Sequence, residues 1–139
     1  MGLQVEMLRS SFERVVELSP QVTQRFYEIL FARFPQAKRL FGRHSDARQE
    51  KMLADALAAV IDHLEDAPWL TATLRGLGGK HTSYGVTDEM YAWVGESLIA
   101  TLAEVLDEEW TPELQSAWVG AFTAIASLMQ SGAREAKAA

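Results

Sequence analysis

Three polar-tipped side chains stand where helical spacing calls for apolar ones. His81 continues the stripe Leu70, Leu74, Leu77, with Tyr84 following. Gln49 opens the stripe Leu53, Leu57, Val60, Leu64, and Tyr27 shares a face with Leu30, Phe31 and Phe34. A buried polar group without a partner costs about 1–3 kcal/mol. These three therefore pair with each other or with the backbone, or they face a ligand. An imidazole offers a metal ligand or a proton acceptor, and a phenol and a carboxamide offer hydrogen-bond donors. Plainer roles stand beside these: a hydrogen-bonded core histidine, a solvated first-turn Gln49, and a core Tyr27 whose hydroxyl reaches the surface.

Other chemistries lack their residues. There is no His-Glu-x-x-His, no Gly-x-Ser-x-Gly and no Walker-type Gly-Lys-Ser. The cluster Gly76-Leu77-Gly78-Gly79 lies inside a helical stripe and follows no strand, so it does not read as a dinucleotide fingerprint.

The elements that must position the three residues are all helical, since no period-two pattern persists. The expected segments are 4–17, 20–34, 35–41, 46–65, 68–82, 88–106 and 112–131. Ser19-Pro20 and Thr111-Pro112 read as N-caps with Pro at the first helical position. Phe34-Pro35 ends one helix and begins a short one, because the residue before Pro avoids helical geometry. Ser45-Asp46, Ala67-Pro68 and Gly85-Val86-Thr87-Asp88 mark further starts. Seven amphipathic segments with short connections make one all-α domain over 1–139, with 132–139 expected as a fraying tail.

Thirteen basic and nineteen acidic residues give a net charge of −6, a poor balance for nucleic-acid binding. No apolar run approaches the ~20 residues of a membrane span, and the first residues, Met1 to Glu6, show no leader pattern. The expectation is a cytoplasmic protein without membrane or nucleic-acid partners. No cysteine is present, so disulfides and thiolate ligands are excluded.

From about Leu8 to Met129 the chain resembles the globins, most closely single-domain bacterial globins and the globin module of flavohaemoglobins. Phe34-Pro35-Gln36-Ala37-Lys38-Arg39-Leu40-Phe41 is similar to the turn where globins set a Phe, here Phe41, against haem. Gly79-Lys80-His81, then Tyr84-Gly85-Val86, resembles the proximal histidine segment. Tyr91 matches a pocket tyrosine and Trp118 a tryptophan of the last helix. Phe26-Tyr27 and Gln49-Glu50-Lys51-Met52-Leu53 match the distal residues of the bacterial members, and no gap is needed between Gln49 and His81.

The resemblance implies a globin fold of seven or eight helices around a pocket for haem b, with His81 as the iron ligand. Covalent attachment is excluded for want of cysteine. Phe41, Leu53, Leu77, Val86 and Tyr91 would line the pocket. Tyr27 and Gln49 would donate to a bound gas, beside the apolar wall of Leu53. The second nitrogen of His81 needs an acceptor; the carbonyl near Leu77, one turn back, and Tyr91 are the candidates. Gly78 and Gly79 would let the backbone approach the porphyrin or form a flexible turn. His44 and Arg43 are candidates for a propionate, with plain solvation of His44 as the alternative, and His63 reads as surface. The implied ligands are dioxygen, carbon monoxide and nitric oxide, for storage, delivery or scavenging of oxygen. The other activity is nitric oxide dioxygenation with a separate reductase; a haem-free regulatory module is the third reading. One departure stands out. The flavohaemoglobin glutamate late in the last helix matches Ala133 here, with Glu135 two residues away.

Overall fold

The computed structural model describes residues 4–40, 47–83 and 86–138. Six α-helices run through them: α1 Val5–Leu18, α2 Val22–Arg33, α3 Ala47–Asp62, α4 Ala67–Ser83, α5 Asp88–Leu106 and α6 Pro112–Ala138. The expectation of seven or eight helices is corrected to six among the described residues. Pro35–Leu40 is a 3-10 segment, opened by an i to i+3 bond from Ala37 N–H to the Phe34 carbonyl at 2.9 Å. Six residues starting at a proline are too few for the i to i+4 ladder to take hold. A second 3-10 turn, Asp107–Glu109, joins α5 to α6.

Local chemistry sets several boundaries. Thr111 Oγ1 accepts the Leu114 N–H at 3.2 Å and starts α6 beside Pro112. Asp66 Oδ1 accepts the Trp69 N–H at 3.1 Å and caps α4. Thr87 stands at the N-cap of α5. Ser19, expected as a cap, instead closes α1, donating its N–H to the Val15 carbonyl at 2.8 Å, while α2 begins three residues later.

Two buried clusters fill the interior. One joins Leu8 and Val15 of α1 to Leu64, to Leu102 and Leu106 of α5, and to Ala117, Trp118 and Ala121 of α6. The Trp118 indole N–H donates to Ser11 Oγ at 2.9 Å, and that hydroxyl donates in turn to the Met7 carbonyl at 2.7 Å. Both polar groups are thus satisfied in the core, and α6 is tied to α1. The other cluster holds Phe26, Tyr27 and Leu30 of α2 with Ala37, packed by Leu53 of α3 and by Trp93, Val94 and Leu98 of α5.

α4 and α6 approach each other backbone to backbone. A Cβ added at Gly78 would collide with the Met129 backbone, and one at Gly132 with the Arg75 backbone. Each glycine therefore admits the other helix's main chain. Arg75 and Glu135 form an ion pair across the same seam. The tail expected to fray from residue 132 is instead helical to Ala138, with Gly132 and Ala133 buried in this contact region. Gly78 faces α6 rather than a prosthetic group, because its missing side chain is what lets the two backbones meet.

Two substitutions in α4 should move stability in opposite directions. Gly78→Ala forces a side chain against backbone and should cost about 1–3 kcal/mol. Gly76→Ala meets nothing within 4 Å and should gain up to about 1 kcal/mol of helix propensity. Urea denaturation of both variants beside the parent checks this, and shifts of the same sign would contradict the packing.

Candidate functional site

His81 lies in the last turns of α4, half buried. Its Nδ1 is 2.7 Å from the Leu77 carbonyl oxygen, one turn back. A carbonyl can only accept, so Nδ1 carries a proton, and in the neutral imidazole Nε2 is then the nitrogen with a lone pair. The helix carries on past His81 and its end is closed by the Val86 N–H, which donates to the His81 carbonyl at 3.1 Å. Between the two candidate acceptors, the geometry selects Leu77 over Tyr91.

Tyr27 sits in the middle of α2, 5% exposed. Its ring meets Phe26 edge-on at 5.1 Å and stacks on Phe31 at 5.8 Å. Gln49, in the first turn of α3, donates its Nε2–H to the Tyr27 hydroxyl oxygen at 3.1 Å. The plainer reading of Gln49 as a solvated residue does not hold, since its amide reaches inward. In this bond the phenol oxygen accepts, so the phenolic proton is not spent on Gln49. Burial pushes the Tyr27 phenol above its ordinary value; the bond from Gln49 opposes this and the Glu50 carboxylate adds to it. Leu53 packs onto the same cluster one turn after Gln49. Behind it, a void of about 10 Å³ lined by Phe26, Leu57, Leu98 and Trp118 exposes no polar surface.

Tyr91, at the start of α5, is 8% exposed, and its hydroxyl has no hydrogen-bond partner among the described residues. Burial raises its phenol too, with Asp88 adding to the effect. The late glutamate of the flavohaemoglobin pattern has no counterpart at its matching position. Ala133 occupies the matching position, and Glu135 is engaged by Arg75. Phe41, His44 and Arg43 lie outside the described residues, as do Tyr84 and Gly85.

The arrangement sets one imidazole on α4 and a buried phenol–amide pair on α2 and α3. Among the described residues no three His, Asp or Glu side chains gather to hold a bare metal ion. A lone imidazole suits a metal that arrives with its other ligands in a prosthetic group.

The globin family profile matches residues 24–129. This chain belongs to the globin family. Among curated proteins it is 29% identical over 126 residues to the flavohemoprotein of Vibrio cholerae and 36% identical over 110 residues to that of Bordetella pertussis. These matches cover 89% and 78% of this globin but 32% and 27% of the relatives, so the chain spans about a third of their length. Among solved structures, an engineered carbene transferase built on a putative nitric oxide dioxygenase of Rhodothermus marinus has a TM-score of 0.83 at 28% identity. That match covers 96% of this chain and 93% of the other. A bacterial globin of Campylobacter jejuni has the same TM-score at 21% identity over 98% of both chains, which speaks for the fold.

Haem is the group globins carry, and the residues of this globin fit it. With Nδ1 of His81 turned to the Leu77 carbonyl, Nε2 is left as a nitrogen that could ligate iron, and a buried tyrosine hydroxyl at the start of α5 lacks a partner among the described residues. No helix of the described residues is long and apolar enough to cross a membrane. Two contacts escaped the sequence reading. His63 is half buried rather than a free surface residue: its ring stacks on Trp69 at 3.8 Å, and its Nδ1 lies 2.7 Å from the Ala59 carbonyl. Trp118 proves to be a buried anchor for α1. The spacing His63–Trp69, across the turn between α3 and α4, was the signal available for the first; none existed for the second.

The Tyr27 shift yields a pH prediction. The folded state holds this phenol protonated above 10.0, its ordinary value, whereas the unfolded chain releases the proton there. The stability it contributes is complete below that pH and is lost as pH rises through the folded-state value. Tyr27→Phe should therefore flatten the alkaline fall in stability, as read by denaturant unfolding at a series of pH values. An identical alkaline fall in both proteins would contradict the burial of Tyr27 as a protonated group.

Proposed function

We propose that this globin binds haem b through Nε2 of His81 and reversibly binds dioxygen and other small gases, carbon monoxide and nitric oxide among them, on the opposite face. The observation that carries the reading is the 2.7 Å bond from His81 Nδ1 to the Leu77 carbonyl, which assigns the tautomer an axial ligand needs. When bound, haem supplies an iron with one open coordination position for a diatomic ligand. The chain's own residues do the rest. Leu77 orients the imidazole. Tyr27 donates its phenolic proton toward a ligand that gathers negative charge, and Gln49 holds that phenol in place. Leu53 keeps water from the pocket. Phe41, Val86 and Tyr91 are proposed as further wall residues.

A second reading, nitric oxide dioxygenation with a separate reductase, draws support from the flavohemoprotein relatives and from the Rhodothermus marinus neighbour. Sustained nitric oxide consumption that depends on an added reductase distinguishes it from storage or delivery.

His81→Gly should abolish tight haem uptake in an absorbance titration, and added imidazole should restore it by filling the vacated space. Uptake and spectrum equal to the parent's would show that another residue holds the iron. At the other face, Tyr27→Phe should speed dioxygen release roughly 10- to 150-fold, the equivalent of a bond worth about 1.5–3 kcal/mol to a charged ligand. Gln49→Leu should speed it less, since Gln49 acts by positioning Tyr27. Flash photolysis measures both, and a larger effect at Gln49 would reverse their roles.

A further inference from the structure

The charge on this globin is unevenly spread. Outside residues 33–51 the sequence holds seventeen acidic and seven basic side chains. Most of those cations are spoken for: Arg9 by Glu65, Arg14 by Glu109 and Glu17, Arg25 by Glu104 and Glu28, and Arg75 by Glu135. Between 33 and 51 the described residues include five cations and a single acid, Glu50. Arg33 at the end of α2, and Lys38 and Arg39 in the 3-10 segment, are exposed and form no salt bridge with a described carboxylate. Lys51, exposed at the start of α3, has Asp55 as its partner.

One cation of this stretch, Lys38, lies near the buried Tyr27–Gln49 pair. The Lys38 ammonium sits 6.0 Å over the Phe31 ring, Phe31 stacks on Tyr27, and Tyr27 accepts the Gln49 bond. The Phe31 ring thus stands between the Lys38 ammonium and Tyr27.

We infer that Arg33, Lys38 and Arg39 form the docking surface for a compact acidic electron-donor protein, one carrying a flavin or an iron–sulfur cluster. The inference rests on the haem reading. In each encounter the partner's cofactor is oxidised by one electron and the ferric iron is reduced by one. Charge complementarity steers such encounters and raises their rate by about 10- to 1,000-fold at low salt. The acidic remainder of the surface selects the kind of partner. Duplex DNA, with a charge about every 1.7 Å, or an anionic membrane extends well beyond the patch and meets the acidic flanks. A compact protein meets only what lies within a Debye length of its contact, about 8–10 Å at moderate salt.

The test uses the full chain with a reduced acidic flavodoxin as probe. Two readouts are taken: amide shift perturbation by nuclear magnetic resonance, and reduction of the haem-loaded protein in stopped flow. The expected result is perturbation centred on 33–39 and reduction that slows with added salt. The triple variant Arg33→Glu, Lys38→Glu, Arg39→Glu should lose 10-fold or more in rate while keeping the parent's haem spectrum and its rate with dithionite. Perturbation centred elsewhere, or a variant reduced by flavodoxin as fast as the parent, would overturn the inference. So would tighter binding to a DNA duplex or to phosphatidylglycerol vesicles than to flavodoxin. Failure to take up haem would sink the haem reading instead, and the shift perturbation still reports on docking.

Discussion

The approach of α4 to α6 is the constraint on which the candidate site depends. Gly78 and Gly132 let each helix reach the other's main chain, at Met129 and Arg75. Leu77 is the neighbour of Gly78, and its carbonyl is the acceptor for His81 Nδ1. The height and tilt of the imidazole are therefore set by a backbone-to-backbone contact rather than by an adaptable side chain. Protein interiors are packed densely enough that such a contact has little room to drift. The Arg75–Glu135 pair at the outer edge of the seam is exposed and adds little energy by itself, but it takes Glu135 away from any role beside His81.

That division has a chemical consequence. A carboxylate beside an axial imidazole raises the basicity of the ligand, and a carbonyl does so less. Here the imidazole has the Leu77 carbonyl, the tyrosine hydroxyl at the start of α5 lacks a described partner, and position 133 is alanine. Under the proposed haem reading, the imidazole would be oriented by a carbonyl rather than by a carboxylate. Tyr27 and Gln49 would form the other side under that reading, a buried phenol whose oxygen accepts a bond from the Gln49 amide. Under the proposed reading, these features would favour holding a polarised ligand over cleaving it.

The same distal pair explains why the surface above it matters. Tyr27 is fixed by rings on two sides, and one of those rings, Phe31, lies beneath Lys38. The chain spans about a third of the length of its flavohemoprotein relatives. The exposed cations of 33–39 stand out against a molecule whose other arginines mostly meet carboxylates.

Short-range features were legible in the sequence, because they follow from helical geometry alone. The i to i−4 bond from His81 to Leu77 is set by the pitch of one helix. The caps at Thr111 and Thr87 are local, and the inward faces of Tyr27, Gln49 and His81 follow from period 3.6. The length of the 3-10 segment was legible as well, but not that i to i+3 bonding would win there. What depends on two helices meeting was decided only by the tertiary structure. The use of Gly78 depends on where Met129 falls, the fate of Glu135 on Arg75, and the role of Trp118 on Ser11, 107 residues away. A single sequence records the side chains on each helix face but not the crossing that brings two faces together, because that crossing is set by how the helices pack against one another.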